Sequence, residues 1–543
     1  MEEHQTPVTD LAGKLEDLTL KRVDTKCNFK LVTSDISKKS CPGIADTNEK
    51  YERLMELTEA ALRERQDFVQ VSSEGEARDL LASQPSASIH VTNATRAASD
   101  AELMMGNVHT EEFIRDMKER TASIRDGDDE FLYDSTPAED DPYDSGITVV
   151  PRVPSGIDGV KAVFICGDIS AGWSEDTELA ARTGAASLID CAQDVFAGRY
   201  ANGFVLARPP SHHAVGNADL ARNGSQKNMP LGFCHLNSIA SAVANLRANS
   251  PNLRVCIFDF DVHPGNGNED TFWNDPSVLT ISIHEEGIWP GEGTGRPEYV
   301  GGPNAVGSVV NFPIPEGGGD SEYYYVVRDH VIPHITRFAP DIIFIAAGYD
   351  ALAGDAYADQ ELTPDWYGWC IAELLGLAIA PLVLNLEGGY TPENVVLAIG
   401  TSIDALGGTP AAAFLDRMAI RPLSKSSEAH NKRVCYARRV SIEDSGGSPA
   451  AAPSDEQDEP QVDAGPDVNA AVQFKAEADA KKAALEVEMD ALPGKINKKA
   501  RAAKLKQVLE IEKSPEYVDA CLVISGRPAK FGNFLRGLRR IAS

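Results

Sequence analysis

The sequence RVCIFDFDVH at residues 254–263 joins a short apolar run to an Asp-x-Asp-x-His array. An apolar run of this length is typical of a buried β-strand. Because side chains alternate between the two sides of an extended chain, Asp259, Asp261 and His263 point the same way. Carboxylates and an imidazole are metal-binding groups, so this stretch predicts a metal site at the end of a strand.

Similar apolar runs, separated by helical stretches, occur from about residue 90 to residue 410. They lie at 162–165, 203–206, 255–258, 278–281, 342–345 and 382–384. Apolar strands that alternate with helices indicate a parallel sheet whose two faces are covered. The predicted fold class is therefore α/β, with a central, mostly parallel sheet and helices on both faces.

Four motifs with polar side chains follow four of these strands. They are RPPSHH at 208–213, DFDVH at 259–263, GYD at 348–350 and EGGY at 387–390. Ligands of open α/β sheets bind at the carboxyl ends of the strands, so we expect the four motifs to converge on one crevice. Together they supply carboxylates, histidines and a phenol, which are the groups that metal-assisted hydrolysis requires.

Each motif, taken alone, also has a purely structural interpretation. Asp350 can be a helix cap after its strand. His212 and His213 can be surface histidines, and Tyr390 can be a turn aromatic. The functional interpretation therefore depends on the convergence of the motifs and not on any one of them.

Composition limits the class of protein. The chain has 543 residues, a net charge of −31 and nine cysteines without a CxxC pair. The charge argues against direct nucleic-acid binding by the main domain, and it suits basic peptide or polyamine substrates or simply a solubilising surface. The scattered cysteines indicate reduced thiols. No apolar stretch suggests a membrane span and no signal peptide is evident, so we expect a soluble protein of the nucleus and/or cytoplasm.

The sequence predicts four regions. They are a flexible N-terminus at 1–25, a main domain at 26–415 with an acidic loop insertion at about 126–145, a flexible linker at 416–470, and a helical, basic C-terminal extension at 471–543. Residues 494–543 carry twelve Lys and Arg against four Asp and Glu. This basic segment suggests either a nuclear-import or nucleic-acid patch, or a segment that docks on the acidic main domain.

Five motifs resemble those of the zinc-dependent histone deacetylase family in order and spacing. They are RPPSHHA at 208–214, GFC at 232–234, DFDVHPGNG at 259–267, AGYDA at 347–351 and EGGY at 387–390. The Arg-Pro-Pro opening and Asn266 are more like the class II branch of that family. The resemblance covers roughly residues 40–410, and it implies the arginase–deacetylase fold.

The resemblance implies that Asp261, His263 and Asp350 bind one catalytic zinc ion. Three protein ligands leave coordination positions open for water and for the substrate, as catalytic zinc requires. A structural potassium ion is also implied. Its oxygen ligands would come from the side chains and main chain of Asp259, Asp261, His263, Ser282 and Ile283.

The catalytic roles are likewise implied by the resemblance. His213 corresponds to the general base of the family, with Asn266 as its partner. His212 corresponds to the electrostatic neighbour of that base, held by Asp259. Tyr390 corresponds to the phenol that donates a hydrogen bond to the tetrahedral oxyanion.

The substrate channel also follows from the resemblance. Phe233, next to Gly232, and Trp289 align with two aromatics that line a narrow channel for an acyl-lysine side chain. Trp289 is bulkier than the Phe that is usual there, which leaves the channel width open. Tyr357 occupies a position at the channel border where a Glu marks polyamine-type members, and the absence of that carboxylate favours acetyl-lysine.

Three further positions depart from the family pattern. Pro264 replaces a second His after the zinc ligand, Ser211 replaces the Gly before the His pair, and Tyr349 stands where Phe is common. Neutral Asn266 gives His213 no carboxylate partner to raise its basicity. None of these changes removes a predicted zinc ligand or the phenol.

The sequence therefore predicts a zinc-dependent amidohydrolase that removes acetyl groups from lysine side chains of histones or other proteins. Acetylated peptides and corepressor proteins are the expected partners. An acetylpolyamine or another acyl-lysine is the alternative substrate. Two other interpretations are a di-manganese ureohydrolase of the same fold and a scaffold that binds acetyl-lysine without turnover.

Overall fold

The computed structural model describes residues 96–126, 172–220, 231–291 and 293–445, with shorter segments between 29 and 94 and between 130 and 165. The described strands are β1 (Phe29–Thr33), β2 (Phe68–Gln70), β3 (Ile89–Asn93), β4 (Glu130–Asp134), β5 (Ile147–Val153), β6 (Val163–Ile165), β7 (Gly172–Trp173), β8 (Asn202–Leu206), β9 (Val255–Asp259), β10 (Val278–Glu285), β11 (Val309–Ile314), β12 (Ile342–Ala347) and β13 (Leu382–Leu386).

The described α-helices are α1 (Asp100–Met104), α2 (Glu111–Asp126), α3 (Thr177–Phe196), α4 (Ser238–Asn249), α5 (Asn266–Thr271), α6 (Asp320–Val326), α7 (Ile332–Phe338), α8 (Pro364–Gly376), α9 (Pro392–Leu406), α10 (Ala411–Leu415) and α11 (Lys425–Asp444). None of the helices that the structure describes is long and apolar enough to cross a membrane.

Nine strands form one sheet in the order β11-β10-β9-β12-β13-β8-β1-β3-β2. Every neighbouring pair in this sheet is parallel. All residues of the central strands β9, β12 and β13 are buried, as expected when helices cover both faces. The predicted α/β class with a parallel central sheet is confirmed.

The two faces of the sheet pack into separate apolar cores. Phe258 of β9 belongs to one core, together with Trp366 and Trp369 of α8. Ile257, the adjacent residue of β9, belongs to the other core, together with Ile239 of α4. Successive side chains of β9 thus enter opposite cores, which follows from the alternation of side chains along a strand.

A second, four-stranded sheet has the order β4-β5-β6-β7, and its pairs are antiparallel. The prediction of an acidic loop at 126–145 is wrong for the part that forms β4. Phe131 and Tyr133 favour strands, and β4 pairs with β5 from Glu130↔Pro151 to Asp134↔Ile147. Residues 135–146 lie outside the described residues.

The prediction of a flexible linker at 416–470 is wrong for α11. Ser424 caps this helix by accepting a hydrogen bond from the backbone N–H of Ser427 at 3.1 Å. The helix buries a stripe of side chains at Val434, Cys435, Arg438 and Ile442. Burial of such a stripe stabilises a helix that local propensity alone does not specify. The predictions for residues 1–25 and 471–543 lie outside the described residues.

Candidate active site

The four strand-end motifs converge at one edge of the parallel sheet. Strands β8, β13, β12 and β9 are neighbours in that order, so the segments after them meet. The backbone N–H of Val262 donates to Oδ1 of Asp350 at 2.9 Å. The backbone N–H of Gly388 donates to Oδ2 of Asp261 at 2.7 Å. Hydrogen bonds between motifs therefore hold the candidate metal ligands in place.

Asp261, His263 and Asp350 form a buried cluster. Their potential ligand atoms all lie within 4.8 Å of one another. Nδ1 of His263 lies 3.1 Å from a carboxylate oxygen of Asp261 and 3.1 Å from one of Asp350. Two carboxylates and one imidazole around a common point are a donor set suited to a catalytic zinc ion.

The electrostatics of this cluster also suit a cation. Burial, followed by the negative charge of Asp261, raises the pKa of Asp350 to about 7. Burial opposes the ionised form of Asp261 as well, but His212 and His263 outweigh it and lower the pKa of that carboxyl. Two carboxylates this close and this buried are stabilised together by a positive charge between them. The residues present therefore fit the implied metal.

The two adjacent histidines differ in their partners and their charge. Nδ1 of His212 lies 2.9 Å from Oδ2 of Asp259, and the pKa of His212 is raised to about 10 because Asp261 and Asp259 outweigh the effect of burial. Nδ1 of His213 lies 2.6 Å from Oδ1 of Asn266. Burial, and then the charges of His212 and His263, hold the pKa of His213 well below its usual value.

The pairing with Asn266 determines which nitrogen of His213 is available. A carboxamide oxygen can only accept, so Nδ1 of His213 carries the proton and donates it to Asn266. Nε2 then keeps its lone pair. His213 is thus a neutral imidazole whose free nitrogen can accept a proton, beside a positively charged His212.

Aromatic side chains lie beside His213 and Tyr390, two of the predicted catalytic residues. Tyr390 lies next to Phe233, with ring centroids 5.7 Å apart, and next to Tyr357, at 4.6 Å. The indole of Trp289 packs edge-on against the imidazole of His213 at 4.9 Å. A Cβ atom at Gly232 would collide with both His213 and Trp289, so only glycine fits between them. The structure thus places the four predicted channel residues next to His213 or Tyr390.

The phenol of Tyr390 remains protonated. Burial, followed by the charges of Asp350 and Asp261, raises the pKa of Tyr390 well above its usual value. Tyr390 is therefore a hydrogen-bond donor at neutral pH.

Glu387 has a structural role that the sequence did not reveal. Its carboxylate accepts hydrogen bonds from the backbone N–H and the hydroxyl of Ser211, at 2.5 and 2.7 Å, and from the side chain of Asn385 at 2.8 Å. Ser211, one of the departures from the family pattern, thus ties the histidine motif to the Tyr390 motif. The position of Glu387 directly after a buried strand was the available signal.

Tyr349, another departure, also has a partner. Its hydroxyl lies 3.0 Å from that of Ser402, which satisfies a polar group in the core. For the predicted potassium site, the register of β9 and β10 places Ser282 opposite Asp259. The side chain of Ile283 is fully buried, so its contribution would come from the main chain. That site stays a prediction.

A parallel α/β sheet with this site at its strand ends defines the arginase–deacetylase fold. A solved structure described as the HDA15 HD domain shares this fold, with a TM-score of 0.56, 24% identity, and coverage of 77% of this chain and 99% of that one. Residues 66–406 match the model of the histone deacetylase domain, and the chain belongs to that family.

Curated relatives agree with this assignment. Histone deacetylase 4 of Caenorhabditis elegans is 35% identical over 51% of this chain and 31% of its own length. Histone deacetylase 10, chloroplastic, of Oryza sativa is 36% identical over 42% of this chain and 51% of its own. The chain thus spans between about a third and a half of these relatives.

Proposed function

We propose that the protein is a zinc-dependent deacetylase that hydrolyses the amide of N6-acetyl-lysine in histones or other proteins. The observation that carries this proposal is the convergence of three buried metal-ligand side chains with a neutral histidine and a protonated phenol. These groups lie at one edge of the sheet. Each step of amide hydrolysis then has a residue in a suitable protonation state.

Asp261, His263 and Asp350 would hold the zinc ion. When bound, zinc supplies Lewis acidity, which polarises the amide carbonyl and makes water a better nucleophile. A di-manganese site would need further carboxylates close to these three. Among the described residues, Asp259 is paired with His212, and Asp355 accepts the backbone N–H of Tyr390 at 2.8 Å. The geometry therefore favours one metal ion.

His213 moves the protons. Its free Nε2 accepts a proton from the attacking water, whose oxygen forms a bond to the acetyl carbon. The same nitrogen then donates the proton to the amide nitrogen as the C–N bond breaks. The products are the lysine amine and acetic acid, whose proton passes to the amine to give acetate and the lysine ammonium group, and His213 returns to its neutral state.

His212 keeps His213 suited to this task. A charged His212 beside it disfavours a second positive charge, so His213 is neutral when the reaction begins. Asp259 balances the charge of His212. The ring centroids of His212 and His213 lie 3.9 Å apart. Tyr390 donates a hydrogen bond to the oxyanion that develops at the acetyl carbonyl.

The surroundings favour a lysine side chain over a free polyamine. The border of the site is aromatic, with Tyr357 and Trp289 each more than a third exposed. Asp355 is occupied by backbone N–H groups and offers no free carboxylate to a distant ammonium group. An aliphatic lysine chain between aromatic side chains fits this lining.

The test is zinc content and turnover of the purified protein on an acetyl-lysine peptide beside acetylspermidine, with Tyr390→Phe as the control. We expect about one zinc ion per chain and peptide turnover that falls by about 10²–10³ in the variant. Faster turnover of acetylspermidine than of the peptide would indicate that the substrate is an acetylpolyamine. Bound zinc without turnover of either would support the scaffold interpretation.

A further inference from the structure

Asp355 connects two elements of the site although it is not one of the metal ligands. Its Oδ2 accepts the backbone N–H of Tyr390 at 2.8 Å, and its Oδ1 accepts that of Tyr357 at 3.1 Å. Both oxygens of one carboxylate thus hold the backbone of two tyrosines. The rings of these tyrosines are themselves in edge-to-face contact, with centroids 4.6 Å apart.

The backbone before Tyr390 needs such support. Gly389 has a φ of +124°, a conformation that glycine adopts freely and that other residues rarely adopt. Gly388 and Gly389 carry no side chains that could pack and fix this segment. Hydrogen bonds therefore hold this segment. The N–H of Gly388 donates to Asp261, the carbonyl of Gly388 accepts the N–H of Tyr349, and the N–H of Tyr390 donates to Asp355.

Further contacts bind the same two segments to each other. The hydroxyl of Thr391 donates to the carbonyl of Gly354 at 3.3 Å, and the side chain of Asn394 donates to that of Ala353 at 3.2 Å. The segment at 353–357 thus lies along the start of α9. Asp355 is the charged member of this connection, and hydrogen bonds to a carboxylate are stronger than those between neutral groups.

We propose that Asp355 is a positioning residue that holds Tyr390 and Tyr357 as one unit, so that the oxyanion donor and the channel border move together. The kinetic consequence rests on the proposed deacetylase function. Asp355 does not itself contact the reacting atoms. It acts through the placement of the Tyr390 hydroxyl, because a shift of the backbone by a fraction of an ångström displaces that donor.

A double-mutant cycle tests this role. Asp355→Ala is expected to lower kcat on an acetyl-lysine peptide by about 10²-fold and to change KM little. In the Tyr390→Phe background, where no hydroxyl remains to be positioned, the same change is expected to alter kcat by no more than about twofold. Asp355→Asn keeps one acceptor oxygen and should give an intermediate loss. An equal loss of kcat from Asp355→Ala in both backgrounds would overturn the proposal.

Asp320 provides a matched control. Its carboxylate also accepts two donors, the backbone N–H and the hydroxyl of Thr363, at 2.8 and 2.7 Å, but it lies at the start of α6 and holds Thr363 instead of Tyr390 and Tyr357. Asp320→Ala removes a comparable pair of hydrogen bonds. It should leave kcat unchanged in either background, whatever it does to stability.

A second measurement does not depend on activity. Hydrogen–deuterium exchange of the peptide that contains residues 388–391 should be faster by about tenfold or more in Asp355→Ala, faster by less in Asp355→Asn, and unchanged in Asp320→Ala. Unchanged exchange in both Asp355 variants would overturn the proposal. If the wild-type protein does not hydrolyse acetyl-lysine, the proposed function fails, and exchange alone decides whether Asp355 holds the segment.

Discussion

The floor and the border of the site are built by different forces. The floor, formed by Asp261, His263 and Asp350, is buried and held by charge and by backbone hydrogen bonds. The border, formed by Trp289 and Tyr357, is 38% and 40% exposed and contacts the site through ring edges and faces. Buried charged groups are stable only in the few geometries that pair their charges and hydrogen bonds, whereas aromatic rings can pack against each other in many geometries. Under the proposed function, we therefore expect the chemistry to depend on the floor and the selectivity to depend on the border.

The largest effect is expected at the floor. Asp350→Asn replaces a charged candidate ligand with a neutral amide, so the variant should lose zinc and its turnover should fall to background. Metal analysis of the purified protein and a peptide assay measure the two losses. Asp320→Asn is the matched control and should keep both. A variant of Asp350 that retained zinc and turnover would show that the floor does not depend on this charge.

The second effect concerns His284, which joins β10 to the segment after Trp289. Its Nδ1 accepts the hydroxyl of Ser282 at 2.8 Å, and its Nε2 donates to the carbonyl of Gly295, in the segment after Trp289, at 2.9 Å. Burial lowers the pKa of His284 to about 4. The folded protein therefore binds this proton more weakly than the unfolded chain does, and stability is lost as pH falls from about 6.5 toward 4.

This loss is expected to reach about 2–3 kcal/mol from His284 between pH 7 and 4.5. Denaturant unfolding of the wild type and of His284→Gln at both pH values isolates the contribution, because the other histidines are common to the two proteins. The wild type should lose more stability on acidification than the variant. Equal losses in both proteins would mean that His284 does not contribute to the pH dependence of stability.

A third, smaller effect concerns the hydrogen bond between Ser211 and Glu387. Ser211→Gly restores the residue usual in the family but removes the hydroxyl that donates to Glu387 at 2.7 Å. We expect the free energy of unfolding to fall by about 1–3 kcal/mol, since a buried carboxylate loses a donor. Ser211→Ala separates this loss from the added backbone freedom of glycine. No change in either variant would show that Glu387 is satisfied without the hydroxyl.

The smallest effect is expected at the border. Trp289→Phe leaves the floor intact and removes ring volume beside His213, so longer acyl groups gain space. The ratio of kcat/KM for butyryl-lysine to that for acetyl-lysine should rise by about tenfold. Trp273→Phe, a change of the same type against Tyr299, is the control. An unchanged ratio would assign acyl selectivity to other residues.

The sequence predicted the floor better than its surroundings. Asp261, His263 and Asp350 follow apolar strands, and the general rule for parallel sheets placed them together. The stripe of α11 was missed because Arg438 and Cys435 do not form an evident apolar pattern, although the structure buries both. Strand β4 was missed because the acidic residues around Phe131 suggested a loop.

The role of Asp355 could not be predicted from spacing alone. Its partners are backbone N–H groups, which almost every residue type carries and which a sequence pattern therefore does not mark. One of them belongs to Tyr390, which is separated from Asp355 along the chain by α8 and β13. The contact between Trp289 and His213 likewise depends on the fold of a connection without regular structure. Tertiary placement of irregular segments is the part of the site that local sequence patterns do not carry.

Helix α11 has a practical consequence for where this protein can be shortened. The family match ends at residue 406, but the folded unit continues to at least Asp444, with Arg438 and Ile442 fully covered. Within this helix His430 donates to the carbonyl of Pro313 at the end of β11. A chain that ended at the family boundary would lack α11, and the edge strand β11 would be exposed together with the apolar surface that α11 covers. We therefore expect the shortened protein to aggregate when it is expressed.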